Sequence, residues 1–591
     1  MTGPLAALLS QAGTPSLPQL VLPHAPYSPA MPEILLAGGA IVVLALASLV
    51  GTRVSTYFWA ACSVAGSLAA MGWTWVVLWP QVMAHGGYTT LSGSISVDGF
   101  SLLFFTLVEA SVALGSLVAA AWLDREGMAG PEFYILAMLS GSGAMFMAAA
   151  NDLIVVFLGL EILSIPLYIL AGLNSRRSES GEAAMKYFIL GAFSSAIFVY
   201  GVALTYGATG TTNLAHIAAF LASNVVTTDG LLLAGLALLF VGFSFKVAAV
   251  PFHTWTPDVY QGAPSPATGF MAAVAKAGGF AAFLRVFFST FSTLRADWQP
   301  AIWLLAVLTL VVGAVLAVVQ TDIKRMMAYS SISHAGFVLV GLYAATATGI
   351  AGSLYYLFTY ALMIIGTFAV ITVIGGRGDG NHHIESYRGL ARRRPALALS
   401  LAVLLMAQAG VPFTTGFLGK LYVIGAVIQQ HRYALGFIAM VSAVVAAFFY
   451  LRVVVVMYTP RVPAGAGRLQ LAVSSVPFGR GGRRGAVPTD GGGRNGAEAR
   501  VPAGTLAAVG AGGPPVGPPA PGGEAAPLAR EGSQGAAGGG PGGRPGPDEE
   551  RAPRVPLAVA LVLVVTVAFT VGFGFFPALV VNFAHHASLV F

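Results

Sequence analysis

Four lysines, Lys186, Lys246, Lys276 and Lys420, stand inside stretches apolar enough to cross a bilayer. Keeping an ionised side chain at bilayer depth costs roughly 2.5–3.5 kcal/mol on insertion scales, so intramembrane charges mark conduction paths more often than packing. Glu161 lies in a comparable stretch, after Leu153–Leu160 and before Pro166. A carboxylate there needs a proton or a cation, and Lys246 is the expected partner. A static ion pair that only fixes helix packing is the plainer alternative. An amine removed from water holds its proton less tightly, and an approaching anion restores the hold, so moving the anion loads or unloads the amine. The spacing places Lys276 on the helix after Lys246, and Lys420 in the second half of the chain.

Histidines and arginines add less. His253, two residues after Pro251, suits either a proton shuttle or a partner for carbonyls freed by the proline. His334 in Ser330-Ser331-Ile332-Ser333-His334 has hydroxyl neighbours able to continue a proton wire, though a satisfied core histidine fits as well. Arg285 and Arg452 lie within about two turns of their helix ends, close enough for a long side chain to snorkel to the interface. Glu109, eleven residues past Asp98, falls at membrane depth as a protonated spectator. The histidine pairs His382-His383 and His585-His586 lack metal-site spacing.

The elements that must position these groups follow from composition. The chain is 56% hydrophobic and 9% charged, with a mean hydropathy of +0.79. It is expected to be an all-α polytopic membrane protein, since a spanning helix needs about 20 mostly apolar residues. That window predicts fourteen transmembrane helices, near 31–50, 57–79, 100–122, 131–149, 151–173, 183–206, 230–257, 265–290, 300–319, 326–346, 349–375, 394–430, 432–458 and 556–580. Residues 1–30 read as an extramembrane lead, 31–458 as the transmembrane core, 459–554 as an insertion and 555–591 as the last helix with a short outer tail. The insertion is Gly/Pro/Ala-rich with eleven arginines and seven acids, too polar and irregular to build a core, so it is expected to be disordered and cytoplasmic. Its arginines also suit adhesion to anionic lipid.

Val250-Pro251-Phe252-His253-Thr254 is echoed by Val411-Pro412-Phe413-Thr414-Thr415. Each lies inside an apolar stretch near a lysine. Such paired interruptions point to two inverted repeats whose broken helices, near Pro251 and Pro412, meet at the midplane. With the N-terminus outside, inner loops gather Arg53, Arg125, Arg176, Arg177, Lys324, Arg325 and Arg388 while outer loops keep Arg295 and Arg432, so both termini are expected outside. The single cysteine, Cys62, leaves no disulfide, iron–sulfur or CxxC chemistry within the chain. A phosphate-loop, a strand-borne GxGxxG, a nucleophile elbow and an HExxH motif are missing as well, so redox and nucleotide chemistry would belong to partners. The net charge of +7 is explained by loop asymmetry and calls for no nucleic acid.

Six segments together resemble the antiporter-like membrane subunits of proton-pumping NADH-quinone oxidoreductase, respiratory complex I. They are Glu161–Pro166, Ala183–Phe188, Phe245–Asp258, Ala275-Lys276, Asp322–His334 and Gly410–Tyr422. The resemblance covers nearly the whole chain outside the lead and the insertion. It is closest to the N-type subunit, because Lys420 stands where the M-type has Glu and no lateral helix follows the last span as in the L-type. The resemblance implies a proton-translocating subunit of a quinone-reducing translocase, with Glu161 and Lys246 as the coupling pair, Lys186 near them, Lys276 as the central relay and Lys420 as the exit-side site. His253 and His334 complete the expected relay. It implies no cofactor or metal on this chain. NADH, FMN, Fe–S clusters and quinone would serve the rest of the complex, whose other membrane and peripheral subunits would be the partners in a bacterial inner membrane. An Mrp-like Na⁺/H⁺ antiporter subunit driven by an ion gradient is the alternative.

Overall fold

The computed structural model describes residues 27–50, 54–224, 230–460 and 555–587. The extramembrane lead and the insertion expected at 459–554 lie almost wholly outside the described residues. Twelve described helices are long and apolar enough to cross a membrane: α1 Ser28–Val50, α2 Thr56–His85, α3 Gly99–Glu126, α4 Glu132–Ala149, α5 Leu153–Ala171, α6 Ser178–Thr209, α10 Ser265–Thr290, α11 Ser292–Val318, α12 Ile323–Ala344, α13 Ala347–Gly375, α16 Tyr433–Tyr458 and α17 Leu557–Phe575. Six shorter helices of eight or more residues join them: α7 Leu214–Ser223, α8 Gly230–Lys246, α9 Trp255–Gly262, α14 Pro395–Ala409, α15 Thr415–Gln429 and α18 Ala578–His586. The expected all-α class holds for every membrane-spanning element among the described residues. The predicted spans 230–257 and 394–430 are not continuous helices: α8 breaks before α9, and α14 before α15.

A small antiparallel hairpin, β1 Tyr88–Thr90 with β2 Ile95–Val97, was not expected. It is too short to show a period in the sequence.

Helix ends follow local chemistry. Asp98 caps α3 in a reciprocal capping box with Ser101, and Gly127 ends it in the left-handed conformation. Asp322 caps α12 through the Arg325 amide, and Asp152 caps α5 through the Ile154 amide. The first turn of α10 is capped from a distance, by the Asp379 carboxylate accepting from the Ser265 amide and hydroxyl at 2.9 and 2.8 Å.

The most hydrophobic windows of α10 and α12 are wholly buried within the protein, whereas those of α1, α2, α6, α16 and α17 are mostly exposed to the surroundings. Helices apolar all round suit a bundle core in lipid. The two buried helices carry Lys276 and His334, both themselves buried.

Candidate functional site

Helix α8 ends at Lys246, and the chain unwinds from Val247 to Thr254. Ala248 takes a left-handed φ of 60°, and the Val250 amide donates to the Thr309 hydroxyl of α11 at 2.9 Å. A side chain of another helix thus satisfies a backbone group that the break leaves exposed.

The buried Lys246 ammonium donates to the Ser164 hydroxyl at 2.6 Å, and Ser164 in turn donates to the Leu160 carbonyl. Lys246 also lies 5.9 Å from the centre of the Tyr187 ring, which stacks on Trp255 at the start of α9. A cavity of about 10 Å³ lined by Ser164, Ser194, Ser195 and Lys246 adjoins the amine. That is room for about one water.

Glu161 and Lys246 form no salt bridge among the described residues. One Glu161 carboxyl oxygen, Oε1, is buried with no hydrogen-bond partner. Pro166 explains part of the local arrangement: it lies inside α5 and lacks the amide that would bond back to the Ile162 carbonyl, next to Glu161. The expected ion pair is thus replaced by a lysine held on Ser164, one turn along α5 from the glutamate.

Lys276 projects from α10 and donates to the Val247 carbonyl, the first residue of the break, at 3.1 Å. Gly279 permits this approach, since a Cβ there would meet Val247 and Lys246 side-chain carbons at 3.1 and 3.2 Å. Lys420, on α15, donates to the Gln408 and Ala409 carbonyls at the end of α14, at 2.9 and 2.7 Å. It lies 5.0 Å from the Phe337 ring centre.

His334 bridges two phenols, with Nδ1 2.7 Å from the Tyr356 hydroxyl and Nε2 3.0 Å from that of Tyr450. Tyr450 also bonds Ser330, and it reaches the Gln408 side-chain oxygen at 3.5 Å. Gln408 donates to Thr367 at 2.8 Å. A hydrogen-bonded path therefore joins His334 to the residue whose carbonyl holds Lys420. Beside it, Ser331 bonds Tyr360 at 2.8 Å and Tyr260 at 3.3 Å.

Lys186, expected near the pair, makes its own contacts elsewhere. Lys186 bonds neither Glu161 nor Lys246 but Asp258 and Glu182, at 2.8 and 2.6 Å, with Arg325 on the other Asp258 oxygen at 2.7 Å. The cluster borders an open polar cavity of about 460 Å³ that Arg177, Gln261 and His382 also line. The reason is a long side chain near its helix start, where solvent and acids of the next segments are within reach. His253 is half-buried, and its Nδ1 is buried without a hydrogen-bond partner.

Arg285 does not snorkel. It is fully buried, holds Asp98 through two bonds of 3.0 and 2.9 Å, donates from Nε to the Ala148 carbonyl at 2.9 Å, and lies over the Phe100 ring. A fork matched to a carboxylate at the cap of α3 offers more than a distant interface. Arg452 is half-buried and closes the Val318 and Gln320 carbonyls.

Sequence reasoning passed over Ser164, Tyr356, Tyr450 and Gln408. Gln408 carried a signal, as an amide in the apolar run before Gly410. The tyrosines carried none, because aromatic residues are common in spans.

Outside the spans, Asp379 gathers Ser265, Lys324 at 3.3 Å and His382 at 3.6 Å. Burial alone would raise its carboxyl, but the Lys324 ammonium, then His382 and the Ser265 hydroxyl, outweigh that and hold it well below the usual carboxylate range.

Interrupted helices with buried amines at their breaks, inside a bundle of apolar helices, define an antiporter-like membrane subunit. The family described as NADH:quinone oxidoreductase/Mrp antiporter, TM, matches residues 150–446. NADH-quinone oxidoreductase subunit N of Trichlorobacter lovleyi is 42% identical over 428 residues, which are 72% of this chain and 86% of that protein. Its counterpart from Mycobacterium tuberculosis is 45% identical over 382 residues, 62% of this chain and 71% of that one. A chain in respiratory complex I from Thermus thermophilus with bound Aureothin is similar at a TM-score of 0.64 and 28% identity, covering 94% of this chain and 100% of that chain. A chain of the Mrp complex from Dietzia sp. DQ12-45-1b reaches a TM-score of 0.71 at 18% identity, covering 95% and 96%, and shares the fold alone. The chain belongs to the subunit N family of NADH-quinone oxidoreductase.

Proposed function

We propose that this chain is the proton-translocating subunit N of an NADH-quinone oxidoreductase, which couples electron transfer from NADH to quinone to outward proton movement. The relay runs from Glu161 and Lys246 through Lys276 and His334 to Lys420, with Lys186 and His253 on its inner approaches. The observation that carries this reading is the bonding of the amines. Lys246 hangs on a hydroxyl, and Lys276 and Lys420 on backbone carbonyls at helix breaks.

None of these three amines is locked in a salt bridge among the described residues. Each has instead neutral acceptors that a protonated amine can use and a neutral one can leave. A change of charge near Glu161, arriving from a neighbouring subunit, would alter the proton affinity of Lys246 and disturb Lys276 next, since Lys276 bonds the carbonyl of Val247, the residue that follows Lys246. NADH, FMN, Fe–S clusters and quinone are used elsewhere in the complex, and this chain supplies no redox centre. It works as a multi-pass protein of the bacterial inner membrane with both termini outside and residues 459–554 as a cytoplasmic insertion. The two interrupted segments are the centres of two inverted repeats.

Replacing Lys246 with Ala in the assembled complex, reconstituted in vesicles, should abolish or strongly reduce protons moved per electron. An unchanged ratio would refute the relay. Purification tests the alternative of a self-contained cation/proton antiporter: the reading requires flavin and Fe–S subunits to accompany the chain, and their consistent absence would favour the antiporter.

A further inference from the structure

A second set of buried acids lies away from the lysines, among α1, α2, α3 and α4. Glu33 on α1 and Glu109 on α3 are both fully buried. They share a neighbourhood: Leu36, one turn after Glu33, and Val108 and Val112, which flank Glu109 on α3, all lie within 3.4 Å of where a Cβ on Gly141 of α4 would stand. The next residue of α4, Ser142, donates to the Glu33 carbonyl at 3.1 Å.

Neither acid has a cation. No Lys, Arg or His among the described residues makes a salt bridge to either. The nearest charged pair on the same helix, Asp98 with Arg285, sits eleven residues from Glu109, about three turns away, and is matched within itself. Lys276, on α10 beside α3, bonds the Val247 carbonyl instead. Both Glu33 carboxyl oxygens and Glu109 Oε2 are buried with no hydrogen-bond partner. An isolated carboxylate cannot remain ionised in such surroundings without a large desolvation cost, and the group takes up a proton instead.

Helix α2 is shaped to meet the site. It passes into a π-helical turn at Thr74–Leu78, and the Thr74 hydroxyl at the start of that turn reaches Glu109 Oε1 at 2.9 Å. Such π turns within α-helices occur frequently at functional sites. The buried polar residues of α2, namely Thr56, Ser63, Ser67 and Thr74, follow one another at spacings of seven, four and seven, so they line one face. Ser63 bonds Ser116 of α3 at 2.9 Å, and Thr56 bonds Tyr134 of α4 at 2.7 Å, so this polar face runs along the seam that ends at the acids.

We propose that Glu33 and Glu109 form a second proton-binding site, two neighbouring neutral carboxylic acids of which Glu109 is held by Thr74, reached by exchangeable protons along the α2–α3 seam. The site takes up a proton as each carboxylate becomes an acid and releases it unchanged. It does not depend on the lysine relay.

Infrared spectroscopy of the assembled complex tests this directly, using Glu33→Gln and Glu109→Gln. Each wild-type-minus-variant difference spectrum should contain a protonated-acid carbonyl stretch that shifts in D₂O, and Thr74→Val should move the Glu109 band by removing its hydrogen bond. Loss of carboxylate stretches in place of the acid band would overturn the proposal, as would an acid band that D₂O leaves unshifted. Should Glu109→Gln fail to assemble, the Glu33→Gln and Thr74→Val spectra decide by the same criteria. Because the readout is a vibrational band, a failed lysine relay would leave this result intact, and the reverse also holds.

Discussion

The two interrupted helices look alike in sequence and differ in what their lysines hold. At the first break, Lys246 is the last residue of α8 and bonds a side-chain hydroxyl of α5. At the second, Lys420 follows the break and bonds two backbone carbonyls of α14. The bonding counterpart of Lys420 is therefore Lys276, which reaches a carbonyl of the first break from the following helix. Matching by sequence pairs Lys246 with Lys420, whereas matching by chemistry pairs Lys276 with Lys420. Under the relay proposed above, Lys246 would then have a separate task, the reception of a charge signal arriving near Glu161.

Backbone geometry sharpens the contrast. Gly410 sits at φ 92°, and a Cβ there would stand 3.0 Å from Lys420 Cδ, so glycine serves both the turn and the approach of the amine. Both breaks also place a non-glycine residue in the left-handed region, Ala248 at the first and Phe413 at the second, and only the first is seen to rely on a hydroxyl from a neighbouring helix, that of Thr309.

The largest effect should come from the carbonyl-held pair. Lys276→Met and Lys420→Met should each reduce protons moved per electron at least as far as Lys246→Ala does, measured in reconstituted vesicles at matched electron flux. If Lys420→Met pumps normally while Lys276→Met does not, the likeness between the two sites is geometric only.

Next comes Arg285→Ala, which leaves Asp98 buried without its cation and should cost about 3–5 kcal/mol. The expected outcome is failed assembly on a native gel. A fully assembled variant would show that the fork does not anchor α10 to α3.

Ser164→Ala should act more gently. It removes the hydroxyl under Lys246 at a cost of about 1–3 kcal/mol, and should slow pumping while sparing assembly. Equal pumping by Ser164→Ala and the unaltered chain would remove the distinction between hydroxyl-held and carbonyl-held amines.

The smallest effect lies outside the spans, at Asp379. Its carboxyl is held low in the folded protein, so its contribution is fully present above its unfolded value of about 3.9 and is lost as pH falls through the lower folded value. Hydrogen exchange of residues 376–384 should therefore stay slow at neutral pH and quicken only in strong acid. Asp379→Asn should already show faster exchange at neutral pH.

Much of the architecture was legible because lipid imposes a simple rule on composition. Long apolar runs could only be helices, and prolines 251 and 412 marked where two of them fail. The buried lysines stood out for the same reason. The partners did not. That Lys246 would choose Ser164 over Glu161 depends on how α5 and α8 face each other, which single-chain periodicity leaves open. Arg285 was misjudged because distance to a helix end ignores Asp98, a cap residue 187 positions away. Glu33 escaped notice because an acid in the first turns of a helix ordinarily meets solvent or the helix dipole, and its burial arises from the packing of α1 against its neighbours, α4 and α2.

The central claim is that the amines at the two breaks change protonation in step with electron transfer. Redox-triggered infrared difference spectroscopy of the assembled complex, with isotopically labelled lysine, tests it most directly. The account predicts label-sensitive ammonium bands that appear and vanish with quinone reduction and that diminish in Lys276→Met. Label-sensitive bands that stay constant throughout turnover would contradict it.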